Sequence, residues 1–137
     1  VITVIKFMNK ILVEISVGEL LDKISILDIK KEKINDLDKL NHIKKEYNIL
    51  KTEYDKKVVT DEKLEKLYLS LKQINSKLWV IEDEKRQCEK EKYFGEEFIK
   101  LSRDIHFLND ERANLKLQIN NYTGSSLKEI KEYTNYW

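Results

Sequence analysis

No proline interrupts this chain, and only three glycines do. Turn-dense sandwiches and small barrels need far more of both, so their scarcity points to long uninterrupted helices. A single cysteine cannot close an intrachain disulfide; Cys88 reads as a core thiol in a reducing, cytoplasmic setting. No apolar run reaches the roughly 20 residues that span a bilayer, and Val1–Phe7 is too short for a secretory core, so membrane insertion is not expected. Neither sign of charge dominates. The 26 basic and 25 acidic residues give a net charge of +1 and are interleaved, as in 82–92, which leaves no segregated basic face for nucleic acid. Phosphate loops, dinucleotide fingerprints, nucleophile elbows and paired cysteines are absent. His42 and His106 fall in different helical units without ligand spacing, so neither metal nor cofactor is expected. Glu82, Asp83, Glu97 and Asp110 alternate with bases and do not form the inward carboxylate set of a two-metal hydrolase.

What the sequence does have is heptad order. Leu64, Leu67, Leu71, Ile74, Leu78, Ile81, Lys85 and Cys88 follow a 3-4 spacing, and Phe94, Phe98, Leu101, Ile105, Leu108, Arg112, Leu115, Ile119 and Tyr122 repeat it. Gly95 lies between the ladders. This pattern predicts a long antiparallel helical hairpin over 60–122 that turns near Tyr93 to Glu96, packed like a coiled coil. Ahead of it, Ser16-Val17-Gly18-Glu19 is a capping box opening a first helical unit over 16–59. Asn35-Asp36 is the expected break in that unit, with one continuous helix to Lys57 as the alternative. The β-branched segments Val1–Ile5 and Ile11–Ile15 suggest a short β-like N-terminal piece over 1–15. Gly124 should end the last helix, and Ser126 through Glu129 could cap a short helical piece before an aromatic tail over 123–137 that docks on its own domain or on a partner. The fold class is therefore all-α, or mainly α with a short N-terminal β segment, in one domain over 1–137. Apolar residues on more than one face of the first unit point to a bundle completed by homodimerisation or by a helical protein partner.

Hairpin geometry places residues whose numbers add to about 189 at one height. Asn75, Trp79, Glu82 and Arg86 share a stripe of the first hairpin helix, and His106, Asn109, Ala113 and Lys116 share one on the second, flanked by Asp110 and Arg112. Two readings follow. These residues line a shallow polar pocket whose arginines hold a phosphate or carboxylate, or they form a salt-bridge network that specifies helix register. Asp22, Lys23, Ser25 and Asp28 can join from the first helix. Arg112, the charged rung of an apolar ladder, is expected to reach Glu82, Asp110 or Asp22 while its stem packs in the core.

Four segments carry a resemblance: Val13 to Ile24, Leu78 to Arg86, Asn109 to Lys116 with Ile119-Asn120, and Gly124-Ser125 through Tyr133. Over roughly residues 11 to 133 the chain resembles a small family of bacterial and phage helical proteins without an assigned function. That resemblance implies an intracellular helical protein and brings no catalytic set. Periodicity explains nearly every informative residue, so the expected function is a non-catalytic helical scaffold or protein-interaction module. The alternative is a small enzyme or binding protein for a phosphorylated or carboxylated metabolite, using the Trp79, Glu82, Arg86, Asn109, Asp110, Arg112 and Lys116 cluster.

Overall fold

The structure, a computed structural model, describes residues 9–136. It contains four helices: α1 (Val17–Lys33), α2 (Leu37–Lys57), α3 (Glu62–Lys90) and α4 (Glu96–Thr123). No strand occurs among the described residues, and Ile11–Ile15 is irregular; Val1–Ile5 lies outside them. The fold is all-α.

The ladders fold as their spacing requires. Leu64, Leu71, Ile74, Leu78 and Cys88 of α3 and Leu101, Ile105, Leu108 and Ile119 of α4 are buried. Leu71 and Ile119 share one core cluster, whereas Ile74, Leu78, Ile105 and Leu108 form a second toward the hairpin turn. Each fully buried leucine or isoleucine contributes about 1.5–3 kcal/mol relative to exposure. The left-handed residue at the turn is Lys92, with φ of 57°, rather than Gly95. Its position is fixed by the end of α3, where the Tyr93 amide donates to the Cys88 carbonyl at 2.9 Å and the Lys92 amide to the Glu89 carbonyl at 3.1 Å. Gly95 instead caps α4 without a side-chain hydrogen bond.

α1 is the hub of the fold. It packs against α2, α3 and α4, burying Leu20, Leu21, Ile24, Leu27 and Ile29, which explains apolar residues on two of its sides. The chain breaks after Lys33, and the Asp36 carboxylate accepts from the Lys39 amide at 2.9 Å to start α2, so the continuous-helix alternative is not formed. Only half of the expected capping box is made at α1. Ser16 Oγ accepts from the Glu19 amide at 3.1 Å, but the Glu19 carboxylate turns to Lys116 and Lys23. Gly124, with φ of 69°, terminates α4. The short helix expected after Ser126 does not form: residues 125–136 run back along α4 without regular structure, because Ser126 bonds Glu14 and Glu129 is drawn to Lys116.

Candidate functional site

A polar network begins where α1 crosses the hairpin. Asp22 is 6% exposed and Lys116 7%; Ser25, Asn75 and Asn120 are buried beside them. Asn75 of α3 sits centrally. Its amide nitrogen donates to Asp22 Oδ1 and to Ser25 Oγ, each at 2.8 Å, and its oxygen faces Arg112 Nη1 at 3.4 Å. Ser25 in turn donates to the Asp22 carbonyl at 2.7 Å, so one asparagine fixes the relative positions of α1, α3 and α4.

Lys116 supplies the buried cation. Its ammonium donates to Glu19 at 2.7 Å and Glu129 at 2.6 Å, and lies 3.9 Å from Asp22 Oδ2. Burial alone would push this ammonium down, but Glu129, Glu19 and Asp22 outweigh it and raise its pKa above the ordinary lysine value. Burial raises the Glu19 carboxyl, yet Lys116 and Lys23 prevail and leave it below the usual carboxylate range. The Glu129 carboxyl falls to about 2 under hydrogen bonds from Lys116 and Lys131.

The first turn of α1 is closed to ligands. Its Val17 amide donates to Ser125 Oγ at 3.2 Å, Gly18 to Asn120 Oδ1 at 2.7 Å, Glu19 to Ser16 Oγ and Leu20 to the Ser16 carbonyl. Asn120 Nδ2 is buried without a hydrogen-bond partner.

Between α4 and the returning tail lies a half-open cavity of about 350 Å³, lined by His106, Asn109, Asp110, Arg112, Ala113 and Lys116 from α4 and by Glu129, Lys131 and Tyr133 from the tail. Tyr136 packs its ring tilted against His106, centroids 5.1 Å apart, and donates its hydroxyl to Asp110, which raises the phenol pKa. Three cations face two carboxylates here. Glu129 is neutralised by Lys116 and Lys131, and Asp110 accepts from Tyr136, whereas Arg112 has no carboxylate within ion-pair distance among the described residues. Its expected partners Glu82, Asp110 and Asp22 are replaced by the amide oxygen of Asn75. Arg112 is half-buried, contacts Asn75 through Nη1 and lines the cavity.

The sequence cluster is thus divided. Asn109, Asp110, Arg112, Lys116 and His106 come together at the cavity, and Asp22 lies behind Lys116. Trp79, half-buried on α3, and the exposed Glu82 and Arg86 do not line it, and neither Glu82 nor Arg86 forms an ion pair among the described residues. Lys23 is exposed and pairs with Glu19 at 3.5 Å. The tail residues Glu129, Lys131 and Tyr133 were not legible as site residues, since Glu129 fits a capping box in sequence; the buried Lys116 and Asn120, four apart and flanking Ile119, were the available signal. No group of three or more potential metal ligands occurs among the described residues, and no helix there is long and apolar enough to cross a membrane.

The chain belongs to the family described as "Family of unknown function (DUF6165)", which matches residues 11–136. Neither the curated proteins nor the solved structures give a significant match.

Proposed function

We propose that this DUF6165 member is a non-catalytic helical binding module whose α4–tail cavity receives a carboxylate or phosphate on Arg112. The observation behind this reading is the imbalance of pairing. Every other charge lining the cavity has an ionic or hydrogen-bonding partner, whereas among the described residues the Arg112 guanidinium meets no carboxylate and contacts the neutral Asn75 amide at 3.4 Å. A planar fork at a cavity wall suits bidentate recognition of an oxyanion. Chemistry is a poorer fit, because Asp22, Ser25, Asn75 and Lys116 are consumed in holding three helices together. Thermal shift across organic acids, sugar phosphates and nucleotides tests the reading. A saturable stabilisation, about 2.7 kcal/mol at a hundred times the dissociation constant, is expected for at least one class; its absence across the panel at millimolar concentration would remove the reading.

A second reading concerns the irregular segment before α1. Ile11, Leu12 and Val13 are 85%, 93% and 73% exposed, an unusual display of large apolar side chains in a row. Drawn out as a strand, such a segment can pair antiparallel with itself about a two-fold axis, so a second copy of the chain is the occupant this face fits. Sedimentation at micromolar concentration should give twice the 16.5 kDa chain mass, and I11E/V13E should restore the monomer; a wild-type monomer contradicts self-pairing.

A further inference from the structure

α2 and α3 both lean on α1, and their backbones do not pack against each other. The crevice this leaves is about 230 Å³, floored by Leu21 and Ile24 of α1 and walled by Tyr47, Tyr54 and Tyr68. Two of these rings already attract cations of the chain: Lys31 Nζ stands 3.4 Å from the Tyr47 centroid and Lys51 Nζ 5.0 Å from that of Tyr54. Two of the rings are held by their hydroxyls. Tyr68 donates to Asp28 at 2.5 Å, and Tyr54 shares a hydrogen bond with Thr60 at 2.8 Å. Glu65 at the rim forms no ion pair among the described residues.

Aromatic faces over an apolar floor, with one carboxylate left unpaired, attract a cation that needs contact area more than hydrogen-bond acceptors. The Asp28 carboxylate that lines the crevice is already engaged by Tyr68 and Lys31, so a methylated ammonium, which needs ring contact and a nearby negative charge but no acceptor, suits the site better than a primary one. We propose that this crevice binds a small organic cation bearing a trimethylammonium group, at a site separate from Arg112. Lys51, whose ammonium also pairs with Asp55 at 2.6 Å, is the internal cation that such a ligand displaces.

Calorimetric titration of the whole chain with choline and with its neutral isostere 3,3-dimethylbutan-1-ol tests this. Choline should bind saturably at one site, about tenfold more tightly than the isostere. Affinity for choline should fall in Y47L and E65Q, rise in K51A, and stay unchanged in R112L. Glu65 is exposed, so E65Q keeps the test valid if Y47L fails to fold. Equal affinity for choline and its isostere, or no saturable choline binding, would overturn the proposal.

Discussion

Gly18 and Asn120 meet across the α1–α4 crossing, where the glycine amide donates to the asparagine side-chain oxygen at 2.7 Å. A Cβ on residue 18 would stand 2.5 Å from the Lys116 carbonyl oxygen and 2.9 Å from Asn120 Oδ1. The first obstacle is helix backbone and cannot swing aside, so the glycine is required by close approach and not by its φ. G18A should lose about 3 kcal/mol in urea unfolding, at the upper end of overpacking costs. Loss below about 0.5 kcal/mol would show that the helices separate freely here.

Lys116 and Asp22 form the buried heart of the network. K116M should destabilise by about 2–3 kcal/mol, below the cost of breaking an isolated buried pair because Asn75 still serves Asp22 and the two glutamates reach solvent. In a D22N background the same change should cost less. A double-mutant cycle in urea checks the coupling, and additivity would mean that the 3.9 Å separation carries no energy.

Acid should release the tail. Glu129 has a folded pKa of about 2 against an ordinary 4.5, and Glu19 is shifted in the same direction. A carboxyl depressed by folding lends stability that is fully present above its unfolded pKa and lost as pH falls through its folded one. Docking of residues 125–136 should therefore weaken between about pH 4.5 and 2, by an amount reduced by solvent screening of the exposed Glu129. Ring resonances of His106 and Tyr136 report the contact by NMR. E129Q should abolish the acid transition, and an identical transition in that variant would exclude Glu129 as its source.

Lys92 takes a left-handed conformation that an L side chain adopts at a cost of about 1 kcal/mol. K92G should therefore raise stability slightly, by no more than about 0.5 kcal/mol, because the extra entropy of glycine in the unfolded chain offsets half or more of that cost. Unfolding midpoints in urea decide it; a drop would mean that the Lys92 side chain contributes more than its backbone costs.

The hairpin was legible because its information is periodic: Leu71 and Ile119 sit on ladders that admit one pairing. The break before α2 was equally local, written in Asp36 as a cap. Hairpin arithmetic put Asn75 on a stripe next to the one that Arg112 flanks, and the two side chains meet at 3.4 Å. The choice of partners was not legible. Whether Arg112 meets Glu82 or Asn75 depends on α1, which fills the groove beside Asn75 with Asp22 and Ser25 and has no period linking it to the hairpin. The tail was harder still, since Glu129 obeys a local capping rule that a buried lysine thirteen residues away overrides.

The most direct test of the account is a calorimetric titration of the best anion from the thermal panel against wild type and R112L, with urea unfolding of both. Leucine continues the α4 ladder and Arg112 neutralises no carboxylate among the described residues, so R112L should stay within about 1 kcal/mol of wild type. Its affinity should fall about 10–100-fold, as expected for losing a charge-assisted hydrogen-bonding group. Undiminished binding by folded R112L would contradict Arg112 as the anion-holding residue, and with it the proposed site.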